Sequence, residues 1–151
     1  MKLSNLMRED LICLNLRVEK KRDGINEIVD LLARTRGITD RDKFLRAIME
    51  REKLASTGVG EGVAIPHART EAAKEMVIAF ARSEKGVDFD SLDKEPVYLI
   101  FMIAAPEKPV EPYLKALARI SRLLGKKPFK ESLRKAKSPQ EVIEVIKETE
   151  K

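Results

Sequence analysis

The chain contains one histidine, His67, and its sequence neighbours make it the first candidate for chemistry. A neutral imidazole is a competent nucleophile near pH 7, because its unperturbed pKa is about 6.5. Pro66 fixes the backbone immediately before it. Arg51, Lys53 and Arg69 supply positive charge nearby in the sequence. A lone histidine is more often structural than catalytic, so its surroundings must decide its role.

A glycine-rich segment leads up to this histidine. Residues 56–62 read STGVGEG, with three glycines in five positions. Such a stretch cannot hold a helix, and it leaves the backbone free to take tight or left-handed turns. It can also bring backbone N–H groups close to an anion, which is a recurring way to hold phosphate. The segment, the cations and the histidine together predict a phosphate site.

Other chemistries find little support in the residues. One histidine and one cysteine, Cys13, do not make a zinc site. The glycines lack the lysine and hydroxyl that follow in a P-loop, and they do not form the dinucleotide-binding fingerprint. No serine sits in a nucleophile-elbow pattern. Asp88 and Asp90 follow Gly86, and we interpret them as solvated turn residues.

Composition restricts the class of protein. The 151 residues are 43% hydrophobic and 36% charged, which favours one folded, highly charged domain over disorder. The 30 basic residues are interspersed with 25 acidic ones, and such mixing argues against nucleic acid as a partner. A single cysteine excludes an intramolecular disulfide, as in a reducing compartment. No signal segment follows the start, and the apolar run at 97–105 is too short to cross a bilayer as a helix. We therefore expect a cytoplasmic protein without membrane insertion.

The elements that position these residues follow from apolar periodicity and capping signals. The predicted strands lie at residues 11–16, 63–65, 76–82 and 97–104. The predicted helices lie at 25–32, from 39–42 to 51–53, at 113–124, at 129–135 and at 138–146. Strands that alternate with helices predict an α/β layered domain, and the fully apolar strand at 97–104 is expected to be central and covered on both faces. The strand order cannot be read from the pattern.

The stretch 51–67, REKLASTGVGEGVAIPH, closely resembles the active-site signature of a known family. It is the family of EIIA domains of the fructose/mannitol class of the bacterial phosphoenolpyruvate-dependent sugar phosphotransferase system, which includes the nitrogen-regulatory EIIA proteins. The similarity is ungapped here and extends over about residues 3–150. It implies one EIIA type-2 domain at 1–151, with a mixed β-sheet flanked by helices on both faces.

The resemblance also implies roles for individual residues. Family members take phosphate from a phosphohistidine of the carrier HPr or a relative of it, hold it on Nε2 of the histidine that matches His67, and donate it to an EIIB domain. Arg51 matches an arginine that stabilises the equatorial phosphate oxygens, for which a planar guanidinium is well suited. No metal and no cofactor are expected. The predicted phosphate cradle comprises Thr57, Gly58, Gly60 and Gly62.

The sequence departs from the family pattern at one position. Many EIIA domains of this class carry a second active-site histidine at the start of the helix at 113–124, where this chain has Tyr113. A phenol can donate a hydrogen bond to a phosphate oxygen, but its pKa near 10 makes it a poor proton carrier at neutral pH. Phosphate binding by Tyr113 and simple packing at a helix start both remain open.

Three functions are compatible with the resemblance. The first is a phosphocarrier for fructose-type sugar uptake, with an HPr-like protein and an EIIB domain as partners. The second is a nitrogen-regulatory EIIA, in which phosphorylation of His67 controls binding to regulatory partners. The third, motivated only by Tyr113, is a protein that has kept the fold and lost the chemistry. The sequence reveals neither the sugar nor the oligomeric state.

Overall fold

A long antiparallel pair of strands organises the chain, of which the computed structural model describes residues 2–151. The strands are β1 (Ile12–Cys13), β2 (Gly58–Gly60), β3 (Val63–Ala64), β4 (His67–Arg69), β5 (Val77–Val87) and β6 (Val97–Ala105). The helices are α1 (Lys21–Leu32), α2 (Arg41–Leu54), α3 (Glu111–Leu124), α4 (Lys127–Lys135) and α5 (Pro139–Glu150). Two short 3-10 turns, Leu3–Asn5 and Glu9–Leu11, precede β1.

The sheet is mixed. Its order is β1-β5-β6-β3-β2, with β4 paired to β6 beyond the end of β3. β5 and β6 are antiparallel, whereas β1 is parallel to β5, and β3 and β4 are parallel to β6. Strand β6 is therefore central, and every residue of it except the half-buried Tyr98 is buried. The expectation of a central strand covered on both faces is confirmed.

Helices cover both faces of this sheet. One apolar cluster joins β5 and β6 to α1 and α2 through side chains such as Ile28, Phe44 and Met102. The second cluster joins the other face to α3, α4 and α5 through side chains such as Phe101 and Ile120. The two faces alternate residue by residue along residues 77–81 of β5 and 99–105 of β6, as the pleat of a strand requires. The predicted fold class is confirmed.

Side-chain caps fix the starts of two helices. The Asp40 carboxylate accepts a hydrogen bond from the Lys43 amide at 3.1 Å, and this fixes the start of α2. The Ser138 hydroxyl accepts from the Glu141 amide at 3.1 Å and opens α5 in the same way. Both starts were predicted. Within residues 2–151, no helix is long and apolar enough to cross a membrane.

Several boundaries differ from the sequence predictions. The predicted strand at 11–16 is reduced to Ile12–Cys13, because Leu11 ends a 3-10 turn. The strand predicted at 76–82 continues to Val87 and passes through Gly86, which has φ +96° and meets a break in the pairing register. The short strand β4 was not predicted at all.

Candidate active site

His67 opens the short strand β4 at the edge of the sheet. Residues Ile65 and Pro66 separate β4 from β3, and both strands pair with β6 along the same side. His67 is in register with Ile103, whose amide donates to the Pro66 carbonyl at 3.0 Å. The imidazole is thus attached to the centre of the sheet by one well-paired strand while its side chain remains partly exposed.

The orientation of the imidazole is fixed by the main chain. His67 Nδ1 lies 2.6 Å from the Ile65 carbonyl oxygen. A carbonyl only accepts hydrogen bonds, so Nδ1 carries the proton and donates it, and Nε2 keeps its lone pair. Burial lowers the pKa of His67 below 6.5; the Ile65 bond opposes this, and the positive charge of Arg51 adds to it. The ring is therefore neutral at pH 7, with Nε2 as its nucleophilic atom.

A cavity of about 690 Å³ opens at this histidine. Three parts of the chain meet there: the C-terminal half of α2, strand β4, and the segment that leads into α3. The lining residues are Ala47, Glu50, Arg51, Leu54, His67, Ala68, Arg69, Glu107, Lys108 and Tyr113. The structure thus brings together three of the predicted site residues, His67, Arg51 and Tyr113.

Arg51 lies in the last turn of α2, where its guanidinium donates from Nη1 to the Ala55 carbonyl at 2.9 Å. That carbonyl lies just past the helix end and has no helical amide to accept from. No carboxylate of residues 2–151 forms an ion pair with Arg51. Its charge is therefore available to an anion in the cavity.

Tyr113 faces His67 across this cavity. Their ring centroids are 5.9 Å apart and the planes are tilted by 53°. The side chain is 7% exposed and also belongs to the apolar cluster under α3. Burial raises the pKa of the phenol above 10, although Arg69 and Arg51 both oppose the rise. The phenol is consequently neutral at pH 7, able to donate a hydrogen bond and unable to act as a base.

The glycines of the predicted phosphate cradle lie outside the lining of the His67 cavity. Gly60 and Gly62 have φ of +105° and +81° and form the turn between β2 and β3, with Glu61 at +55°. The Glu61 amide donates to the Asp93 carboxylate at 2.9 Å. Gly58, Gly60 and Gly62 are absent from the lining of the His67 cavity. The glycines build a tight hairpin next to the site, and a direct contact of their amides with phosphate stays a prediction.

Thr57 borders the segment that carries His67. Its carbonyl accepts from the Ile65 amide at 3.1 Å, so it borders the segment that orients His67. The side chain is buried and its Oγ1 has no hydrogen-bond partner among residues 2–151. Thr57 is not part of the cavity lining.

Sequence reasoning missed Glu52. This buried carboxylate accepts from Lys21 Nζ at 2.7 Å and from the Thr57 amide at 3.1 Å. Through these two contacts, Glu52 of α2 connects α1 to the start of the hairpin. A signal was present, since Phe44, Ile48 and Glu52 recur every four residues on the buried side of α2. A carboxylate on that stripe must find a buried partner.

Arg69 was noted in the sequence only as a nearby charge. The structure places it in the cavity lining together with Glu50, Glu107 and Lys108. The signal was the spacing of two residues from His67, which puts both side chains on one face of a strand. That spacing could be used only with knowledge that β4 exists. Within residues 2–151, no three histidine, cysteine, aspartate or glutamate side chains are grouped as a metal site requires.

Comparison with known proteins agrees with the fold and the signature. The family described as "Phosphoenolpyruvate-dependent sugar phosphotransferase system, EIIA 2" matches residues 5–149. A fructose-specific EIIA component from Haloferax volcanii is 40% identical over 146 residues, 97% of this chain and 95% of that protein. A fructose-specific EIIABC component from Bacillus subtilis is also 40% identical over 151 residues, but the chain spans only 24% of its length.

Solved structures extend the comparison to three dimensions. The nitrogen regulatory protein IIA-Ntr from Neisseria meningitidis superposes with a TM-score of 0.89 at 33% identity, covering 95% of this chain and 98% of that one. The IIA domain of the Escherichia coli mannitol IIA–phosphorylated IIB complex shares the fold, with a TM-score of 0.80 at 22% identity over 94% of this chain and 97% of that one. The chain belongs to the EIIA type-2 family of the phosphoenolpyruvate-dependent sugar phosphotransferase system.

Proposed function

We propose that this chain is a cytoplasmic phosphocarrier that accepts a phosphoryl group on His67 Nε2 from an HPr-like protein and passes it to an EIIB domain. The observation that carries the proposal is the 2.6 Å contact between His67 Nδ1 and the Ile65 carbonyl. It holds the ring in one tautomer and one orientation, with Nε2 as the only ring nitrogen that has a free lone pair.

The proposed step is an in-line transfer between two nitrogens. The lone pair of His67 Nε2 forms a bond to phosphorus while the P–N bond of the donor phosphohistidine breaks, and the electrons of that bond return to the donor ring. A donor ring protonated on its other nitrogen leaves as neutral imidazole. His67 keeps its Nδ1 proton and becomes a phosphorylated imidazolium. Transfer to EIIB consumes this state by the reverse movement of charge.

In this proposal Arg51 stabilises the charge on the transferred group. A phosphoryl group passes through a transition state with negative charge on three equatorial oxygens, and a guanidinium offers planar paired donors to them. The Ala55 carbonyl uses one nitrogen of Arg51, and the remaining N–H groups are free for the anion. Tyr113 is proposed as a neutral donor to the same group, and Thr57 as a secondary one.

Sugar uptake is the leading role, and regulation is the second candidate. The two relatives at 40% identity are both named fructose-specific, which supports transfer to an EIIB of that class. The superposition on IIA-Ntr supports the alternative, in which the phosphorylation state of His67 changes binding to regulatory partners. Both roles use the same phosphorylated histidine and differ in where the phosphate goes.

The decisive experiment is incubation of the chain with Enzyme I, HPr and labelled phosphoenolpyruvate. We expect acid-labile label on the wild type and none on His67→Ala. A wild type that takes up no label contradicts the proposal. A fructose-class EIIB is then added to the purified labelled chain. Loss of label to EIIB supports uptake, whereas label that no EIIB removes supports the regulatory role.

A further inference from the structure

We infer that Arg69 is a second phosphoryl-binding arginine of this site, held in position by the ring of Tyr113 and the main-chain carbonyl of Glu107. The inference rests on the proposed function of His67 and adds a residue to it. It also gives Tyr113 a task that neither simple packing nor a direct phosphate contact describes.

Strand alternation brings Arg69 to the histidine. His67, Ala68 and Arg69 are the three residues of β4, so the first and third project to the same face of the strand. Ala68 belongs to the apolar cluster on the α1 and α2 side. His67 and Arg69 therefore project to the α3 side, where Tyr113 lies at the start of that helix.

Two contacts hold the guanidinium without neutralising it. Arg69 Nη1 donates to the Glu107 carbonyl at 3.2 Å, and Cζ lies 5.7 Å from the centroid of the Tyr113 ring. Both partners are uncharged, and no carboxylate of residues 2–151 forms an ion pair with Arg69. Cation–π contact restricts the side chain and leaves its full charge for a third partner.

The two arginines approach the His67–Tyr113 pair from different elements. Arg51 comes from α2 and Arg69 from β4, and both line the one cavity. Each of them lowers the pKa of the Tyr113 phenol against the effect of burial, so both charges act within reach of one buried hydroxyl. A phosphoryl dianion on Nε2 has enough oxygens to accept from both guanidinium groups. Arg69 then supplies permanent positive charge on the Tyr113 side of the cavity.

The test compares Arg69→Gln, Arg69→Lys and Arg17→Gln with the wild type. Arg17 is exposed beyond β1, at the opposite edge of the sheet, and its substitution makes the same change in net charge. Each protein is phosphorylated both by Enzyme I, HPr and phosphoenolpyruvate and directly by phosphoramidate. Phosphoramidate needs no protein donor, so it separates the phosphate pocket from docking of HPr.

For Arg69→Gln we expect both rates to fall by about tenfold to a hundredfold, the range for one lost charge-assisted contact. Phosphorus-31 NMR of the phosphorylated protein should show the phosphoryl pKa raised by about one unit, since a nearby cation favours the dianion. Arg69→Lys should recover part of both effects, because it restores the charge without the planar fork. Arg17→Gln should match the wild type.

Double-mutant cycles test the part assigned to Tyr113. If its ring positions Arg69, the effects of Tyr113→Leu and Arg69→Gln on the phosphoramidate rate are not additive, because either change disables the same guanidinium. Tyr113→Phe keeps the ring and should add independently to Arg69→Gln. Additive effects with Tyr113→Leu contradict the positioning role.

The outcomes separate this inference from the function on which it rests. A phosphoryl pKa and a phosphoramidate rate unchanged in Arg69→Gln overturn the inference and leave the relay intact. A wild type labelled by phosphoramidate alone refutes the relay, while the Arg69 comparison still applies. A wild type that neither reagent phosphorylates contradicts both. Circular dichroism checks that the substitutions at the exposed Arg69 and at the buried Tyr113 leave the fold unchanged.

Discussion

The His67 cavity and the β2–β3 hairpin lie side by side within one signature, and they use polar groups in opposite ways. In the hairpin, the Glu61 amide donates a hydrogen bond to the Asp93 carboxylate at 2.9 Å, and Gly60 packs against the same carboxylate. In the cavity, Arg51 and Arg69 donate hydrogen bonds only to main-chain carbonyls, and Arg69 also contacts the uncharged ring of Tyr113. Groups that the fold leaves without counter-charges are the ones available to a ligand.

The border between these two regions falls between consecutive residues of α2. Arg51 faces the cavity, whereas Glu52 turns inward and binds both Lys21 and the Thr57 amide at the start of the hairpin. A helix turns by about 100° per residue, so neighbours in sequence serve different regions. The comparison predicts that changes on the cavity side reduce phosphoryl transfer and that changes on the hairpin side reduce stability.

Arg51→Gln tests the cavity side and should have the largest effect. We expect the rate of phosphorylation by phospho-HPr to fall about a hundredfold, because the transition state loses a preorganised charge. The free energy of unfolding should change by less than about 0.5 kcal/mol, because Arg51 is only partly buried and lies outside the apolar core. Quench-flow labelling and urea denaturation measure the two quantities. A stable variant with the wild-type rate would remove Arg51 from the site.

Glu52→Gln tests the buried contacts of Glu52 with Lys21 and with the Thr57 amide. The variant keeps the shape of the side chain but leaves Lys21 without its carboxylate, at a position where the lysine is only 19% exposed. Because the lysine is partly exposed, breaking this ion pair costs less than breaking a fully buried one. We expect a loss of about 2 kcal/mol in the free energy of unfolding. Urea denaturation measures it, with Glu144→Gln on the exposed side of α5 as the control. Equal stability of the two variants would contradict a stabilising role for the Glu52–Lys21 ion pair.

Gly62→Ala tests the hairpin side and separates shape from phosphate binding. Gly62 has φ +81°, and an added Cβ would lie 3.3 Å from the Tyr98 ring, so we expect a loss of about 1 kcal/mol in stability. The transfer rate per folded molecule should stay at the wild-type value. Gly24→Ala is the matched control: it lies inside α1 with room for a methyl group, and alanine should stabilise it slightly. A rate loss confined to Gly62→Ala would support the predicted amide cradle.

The sequence predicted the two regions unequally. His67 and Arg51 are predicted as site residues through a long ungapped signature, and the structure brings both to one cavity. The starts of α2 and α5 were predicted through the capping residues Asp40 and Ser138 and are confirmed. These features are local in the chain, and local chemistry is readable without the fold. The mixed sheet and the helices on both faces came from the family resemblance, and the structure confirms them.

What could not be predicted depends on contacts between distant segments. Strand β4 has three residues after a proline and exists because β6 pairs with it, so no periodicity marks it. Unless β4 is known to be a strand, the sequence does not show that His67 and Arg69 project to the same face. Phosphate binding by the glycines stays a prediction, but the hydrogen bond from the Glu61 amide to the Asp93 carboxylate, 32 residues away, could not be read from the segment. Their conformational freedom was predicted correctly, and its use inside the hairpin was not.

The shift in the pKa of His67 is the smallest of the expected effects, and it tests directly whether the cavity buries the imidazole. Burial, assisted by Arg51, lowers the pKa of the folded imidazole below the value of about 6.5 expected in the unfolded chain. The chain has no other histidine, so its imidazole resonances in proton NMR are unambiguous. We expect a midpoint below 6.5 in the wild type and a higher one in Arg51→Gln, where one opposing charge is gone.

The lowered pKa of His67 also determines how the free energy of unfolding changes with pH. Between the folded and unfolded pKa values the unfolded chain binds more protons, so the contribution of His67 to stability is complete above pH 6.5 and is lost as pH falls toward the folded pKa. In His67→Gln that part of the pH dependence of urea denaturation should disappear, while the dependence due to carboxylates at lower pH remains. A midpoint at or above 6.5 would mean that burial and Arg51 do not outweigh the Ile65 carbonyl and Glu52, both of which raise the pKa of His67.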